Sequence, residues 1–159
     1  MLVMERRFFV EAKSFCFLAK DRCSDLRLEE RRRGFVGFIF VNLHCSSWLV
    51  DMMDVASHSQ VVEDLALSYR EGDKVTMVHE GGNKASRLLE VSVLAEGGRK
   101  GVIWLPEGRY GRGWQRFAGE LWEVLAFWDK LTGLLDSVVS NSVGNLMGAS
   151  SSGVTSGWG

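Results

Sequence analysis

The apolar positions of this chain follow a period of two, then a period near 3.6, and then repeat that order. Residues 8–18, FFVEAKSFCFL, alternate. Phe8, Val10, Ala12, Cys16 and Leu18 share one face with Ser14, and Phe9, Glu11, Lys13, Phe15 and Phe17 share the other, as in one strand. DLRLEERRR follows a polar turn, with Leu26 and Leu28 alternating against Arg27, Glu29 and Arg31. After Gly34, FVGFIFVN reads as a strand buried on both faces. A helix comes next: Leu49, Met52, Met53 and Ala56 recur at helical spacing, Asp51 and Asp54 turn outward, and Ser46 or Ser47 supplies the cap. Residues 57–72 read as a polar linker.

The second half repeats the scheme. KVTMVHE, SRLLEVSVLA and KGVIWL read as strands separated by the turns GGN and EGG. The loop LPEGRYGRG then leads into a helix whose apolar stripe is Trp114, Phe117, Ala118, Leu121, Leu125 and Trp128. GFVGFIFVNLHCSSWLVDMMDVA and KGVIWLPEGRYGRGWQRFAGELWEVLA are both strand, loop and Trp-led helix, the second with a longer loop, so the chain holds two strands-then-helix repeats. Three strands per half are clear; a fourth hides in MLVM and in 66–70, or is missing. Sheets of this kind expose an apolar face unless helices cover it, which predicts an α+β fold of antiparallel sheets packed against two helices. The stripe from Trp114 through Leu121 is expected to fasten the last helix to the second sheet. Trp122, Phe127 and Trp128 widen that stripe beyond what one small sheet covers, and such patches find partners, so a homodimer through the helix faces is expected.

Composition narrows the function. Nineteen Lys and Arg meet 20 Asp and Glu, a formal net charge of −1, which gives no bulk support to a basic nucleic-acid binder. Arginine outnumbers lysine, and Arg is the better planar partner for phosphates and bases. Three cysteines, Cys16, Cys23 and Cys45, have no close spacing, and the three histidines do not cluster with them in sequence; no metal site and no disulfide framework is expected. MLVMERRFF lacks the apolar run of a signal peptide, and no 18-residue apolar stretch suggests a membrane span. An intracellular protein with no cofactor and no small-molecule substrate is expected. Residues 133–159 contain no Lys or Arg and many Ser and Gly, which predicts a disordered tail over 140–159.

RRFFVEAK, EGGNKASRLLEV and GVIWLPEGRYGRGWQRFAGELWEVL together resemble the PUR (purine-rich-element-binding) repeat: its opening strand, its Asn-bearing turn with the strand after it, and its closing strand, Leu-Pro turn and helix. Whirly proteins are similar in their strands-then-helix plan. The closing motif resembles, more loosely, plant proteins associated with retroelements. The resemblance covers residues 5–130, with repeat one over about 5–58 and repeat two over about 73–130. It implies four strands and a helix per repeat, two repeats intertwined in one domain, single-stranded DNA or RNA as the partner, and a nuclear or nucleocytoplasmic location. Asn83, Lys84 and Arg87 match the family's binding turn in the second half, and Lys13 and Arg27 match in the first. Leu88 stands where the family's wedge phenylalanine would be.

The residues themselves offer further contacts. Phe9, Phe15 and Phe17, interleaved with Lys13, suit base stacking beside a phosphate counter-charge, although a strand packed on both faces would read the same. Arg31 and Arg33 can share one side of their strand, as phosphate contacts or as charges guarding a solvated edge. GRYGRG carries Arg109 and Arg112 at a helix N-terminus, where an anion is favoured, but it has no Lys-Ser/Thr ending and is not a P-loop. Ser46 and Ser47 near His44 and Cys45 are neighbours in sequence only, which is not how catalytic triads are recognised. The expectation is a non-catalytic binder of single-stranded nucleic acid. The alternative is a protein-interaction or dimerisation module that has lost that binding.

Overall fold

The computed structural model describes residues 3–20, 25–58, 66–83 and 86–132. The first repeat is four strands, β1 (Val3–Val10), β2 (Lys13–Lys20), β3 (Asp25–Arg32) and β4 (Phe35–Asn42), and the helix α1 (Leu43–His58). The second is β5 (Ala66–Glu71), β6 (Lys74–Asn83), β7 (Ser86–Ala95), β8 (Gly98–Pro106), one 3-10 turn at Arg109–Gly111 and the helix α2 (Arg112–Thr132). Each set of four strands forms an antiparallel meander in chain order. The molecule is α+β, with two such sheets and two helices. Lys84 and the tail over 140–159 lie outside the described residues.

Residues 8–18 are not one strand. The chain reverses at Glu11 and Ala12, with Glu11 at a left-handed φ of 56°, and pairs Phe8 with Phe15 and Val10 with Lys13. Opposed residues share a face, so the even residues of β1 join the odd residues of β2. Phe8, Val10, Phe15, Phe17 and Ala19 therefore point inward and are buried. The fourth strands exist: β1 begins at Val3, and β5 occupies part of the stretch read as linker. α1 begins at Leu43, earlier than the serines suggested, because Asn42 caps it; the Asn42 Oδ1 accepts the Cys45 N–H at 2.8 Å. The Ser46 hydroxyl instead donates back to the Asn42 carbonyl at 2.7 Å.

The helices are exchanged between the repeats. Phe117 of α2 packs against Phe8, Phe15 and Phe17 of the first sheet, with ring centroids 4.9–6.3 Å apart, and Arg6 of β1 pairs with Glu120 at 2.7 Å. The expectation that this helix rests on the second sheet holds for Trp114, whose indole N–H donates to the Leu105 carbonyl at 2.9 Å, and not for Phe117. Reciprocally, Cys45 of α1 lies 3.3 Å from the Thr76 hydroxyl, and Trp48 packs against Tyr69 at 5.5 Å. The sheets themselves meet where β4 crosses β8. A Cβ on Gly37 would stand 2.6 Å from the Val102 carbonyl oxygen, and one on Gly101 would collide with the Phe38 carbonyl. These two glycines hold equivalent places in the repeats, and only hydrogen in place of a side chain lets the strands cross so closely. Trp128, assigned above to a partner surface, is buried in the core; Phe127 is half-buried and Trp122 exposed.

Candidate nucleic-acid interface

The residues of the first sheet that do not enter the core make its outer face. Strand pairing arranges them in cross-strand rows. One row is Phe9, Ser14, Arg31 and Val36; the next is Arg7, Cys16, Glu29 and Phe38; the third is Glu5, Leu18, Arg27 and Phe40. Phe9 is 73% exposed, Phe38 40% and Phe40 45%, with Val36 also open. The phenylalanines thus sit on the two edge strands, with Arg27 and Arg31 on β3 between them and Arg7 on β1 itself. Val36, Phe38 and Phe40 belong to the strand read from sequence as buried on both faces. It is buried on one, because its other face lies over nothing but solvent among the described residues.

Glu29 organises the middle of this face. It is nearly buried, and its two oxygens take Arg27 at 3.0 Å and Arg31 at 3.3 Å. The Arg27 guanidinium also lies over the Phe38 ring, 4.6 Å from its centroid, and Phe38 meets Phe40 edge-on at 5.7 Å. Both arginines keep part of their donors toward solvent. Arg7 pairs with Glu5 on the same strand. Arg7, Lys20, Arg27 and Arg31 face Glu5 and Glu29 across the sheet, leaving two positive charges in excess, while Asp25 at the start of β3 turns to Lys74 of the second sheet, 4.0 Å away. The Cys16 thiol at the centre is pushed above its ordinary value, first by burial and further by the nearby Glu5 carboxylate.

The other sequence-predicted residues divide in two. Arg33 is exposed beside Gly34 in the β3–β4 turn, and Arg109 and Arg112 are exposed where the 3-10 turn runs into α2; no salt bridge engages these three among the described residues. Gly113 approaches the Val10 side chain and Gly111 approaches the Ser57 backbone, so this loop gathers at the end of the first sheet that carries the β1–β2 and β3–β4 turns. Phe9, Arg31, Arg33, Arg109 and Arg112 share that end of the molecule.

Three residues do other work. Phe15 is only 1% exposed and cannot stack on a base. Lys13 points inward, where it binds Glu30 at 2.9 Å and the Trp104 carbonyl at 3.0 Å. Glu30, fully buried, also accepts the Trp104 N–H at 2.8 Å. The pair thereby satisfies the backbone of edge strand β8 and joins the sheets. Arg87 is 7% exposed and donates to Glu80 at 2.7 Å and to Glu107 at 2.8 Å while lying over the Trp114 ring. It fixes the loop before α2 rather than facing a ligand. Asn83 ends β6, and Leu88 is half-buried on the second sheet's outer face.

Among the described residues no three His, Cys, Asp or Glu come together as metal ligands, and no helix is long and apolar enough to cross a membrane. No protein-family model matches the chain, and no curated protein sequence matches it.

Proposed function

We propose that this protein binds single-stranded nucleic acid without catalysis, on the outer face of its first sheet. One observation carries the reading: exposed phenylalanines on both edge strands flank Arg27 and Arg31, held by Glu29 between them, on a four-stranded face that no described residue covers. Bases stack on aromatic rings whatever their sequence, while guanidinium groups take the phosphates between them. The strands lie about 4.8 Å apart and rise about 3.4 Å per residue, and Phe38 and Phe40 lie two and four residues beyond the row of Phe9, so they stand roughly 16 and 20 Å from it, room for about three unstacked nucleotides to cross the sheet diagonally. A duplex keeps its bases inside and offers no ring faces to these side chains, which favours a single strand. Arg33, Arg109 and Arg112 extend the path at one end of the sheet, where free guanidinium groups meet the backbone and add no base preference.

The experiment is a set of anisotropy titrations with fluorescent single-stranded DNA and RNA 12-mers. Phe9→Ala with Phe38→Ala should lose about 1–3 kcal/mol per stacked base and lower the melting temperature only modestly, because Phe9 is open and Phe38 gives up only its surface contacts with Phe40 and Arg27. Arg109→Ala with Arg112→Ala should weaken every sequence alike and flatten the salt slope. Absence of binding to either polymer at 25 mM salt refutes the proposal.

A further inference from the structure

Among the described residues, nothing covers one edge of the first sheet. β1 pairs only with β2, and no other backbone hydrogen bond reaches it among the described residues. It is eight residues long and has no proline and no β-bulge, two of the devices that blunt such an edge; its charges, another such device, are neutralised within the protein, Arg6 by Glu120 and Arg7 by Glu5. By contrast, on edge strand β8 the carbonyl and N–H of Trp104 are taken by Lys13 and Glu30. A two-residue turn closes on a hydrogen-bonded pair, Val10 with Lys13, and such pairs alternate along the ladder. Met4, Arg6 and Phe8 therefore turn their backbone groups toward β2. Val3, Glu5, Arg7 and Phe9 turn theirs toward the open edge.

We propose that β1 pairs antiparallel with β1 of a second copy, joining two first sheets into one eight-stranded sheet about a twofold axis at Arg6. The sequence VMERRFF is self-complementary in this register. Glu5 lies opposite the partner's Arg7, and Arg7 opposite the partner's Glu5. Val3 lies opposite the partner's Phe9, and Met4 opposite the partner's Phe8. All of the edge-facing residues meet one another, as a hydrogen-bonded ladder requires. The neighbouring registers allowed by that parity oppose Glu5 to Glu5 or Arg7 to Arg7, and like charges directly opposite are unfavourable. The register is thus chosen by charge. Arg6 faces the partner's Arg6, but each is held by its own Glu120 at 2.7 Å, so the central arginines do not meet as bare charges. The contact is isologous and closes on itself, giving a dimer and not a fibre. It adds a strand by β-augmentation and leaves the helices out, in contrast to the helix-face pairing expected from sequence. It stands independently of nucleic-acid binding.

Sedimentation equilibrium from 1 to 100 µM tests it on the full chain. Wild type is expected to dimerise. Arg7→Glu or Glu5→Arg alone should raise the dissociation constant about tenfold or more, since each reversal spoils two cross-strand pairs. The double variant E5R/R7E restores unlike pairs and should restore the dimer. Arg6→Cys should give a covalent dimer on mild oxidation that wild type does not give, because Cα atoms of a non-hydrogen-bonded pair lie about 4.5 Å apart. Trp122→Ser should leave the dimer intact. The proposal is overturned by a monomeric wild type at 100 µM, by a dimer insensitive to the single reversals, by failure of the double variant to restore it, by absence of the Arg6→Cys cross-link, or by loss of the dimer in Trp122→Ser.

Discussion

Replacing Glu29 by glutamine should make the protein bind single strands more tightly. The carboxylate holds Arg27 at 3.0 Å and Arg31 at 3.3 Å, so a phosphate arriving at either guanidinium meets a negative charge just behind it. A phosphate on the far side of such a guanidinium sits roughly 7 Å from the carboxylate. Two unit charges at that distance repel by about 0.6 kcal/mol in bulk water and about 2.4 kcal/mol at an effective dielectric of 20. Removing the charge should therefore tighten binding between about threefold and about sixtyfold, nearer the lower figure at physiological salt, where screening acts over about 8 Å. Glutamine keeps the shape and one acceptor for Arg27, and the lost ion pairs join partly exposed arginines worth about 0–1 kcal/mol each, so the melting temperature should move little. Anisotropy titrations of Glu29→Gln and wild type from 25 to 300 mM KCl read both affinity and salt slope. The slope should steepen as the two arginines become free to take phosphates, by about 0.7 for each added contact. Equal or weaker binding by a variant that melts like wild type would refute this account of the face.

Two further outcomes concern the frame. Phe15→Ala and Phe117→Ala, at the centre of the inter-repeat ring cluster, should each destabilise the fold by about 3–5 kcal/mol in urea unfolding; if Phe15→Ala weakened nucleic-acid binding and left stability untouched, its placement in the core would be wrong. The Cys45 thiol, buried beneath α1, is pushed up to about 12 from an ordinary 9.0, chiefly by burial. Between those values the unfolded chain loses its proton and the folded chain keeps it, so stability should fall as pH rises above about 9. Cys45→Val should flatten that alkaline limb in urea titrations at pH 8–11, and an unchanged limb would show that the thiol does not govern it.

Much of the fold was legible in the sequence because burial left its period there. Leu26 and Leu28 alternate with arginines and glutamate, and Trp114, Phe117 and Leu121 mark one side of a helix. β5 could be offered only as an alternative to a missing strand, because Leu67 is its only buried residue, too little to write an alternation. The turn at Glu11 and Ala12 escaped because neither is Gly, Asn or Asp, the usual hairpin residues, and because the charged pair between two phenylalanine runs continues an apparent alternation. That one missed reversal misplaced Phe15 and Lys13, since it inverts which residues of β2 face the core. Arg27, Arg31 and Phe9 kept their assigned face because their parity is set by the leucines and phenylalanines beside them. Val36, Phe38 and Phe40 carried no sign of exposure: an apolar strand reads alike whether one side or both is covered. Nor does a helix record which sheet it covers, so the intertwining of the repeats was only what a family resemblance implied, and the exchange of α1 and α2 is read from the packing.

That exchange has a consequence for how the chain reaches its native state. The phenylalanines of β1 and β2 are covered by a helix about a hundred residues later; Arg6 and Glu120, in direct contact, are 114 positions apart. Contacts of such long range make folding slow, because the chain must close a large loop before they contribute. During synthesis the first sheet emerges with Phe8, Phe15 and Phe17 uncovered and must wait for α2. Neither repeat carries its own lid, so half of the chain has no complete core to fold around. The two halves, expressed as separate pieces, should be unstructured apart and assemble into one domain when mixed.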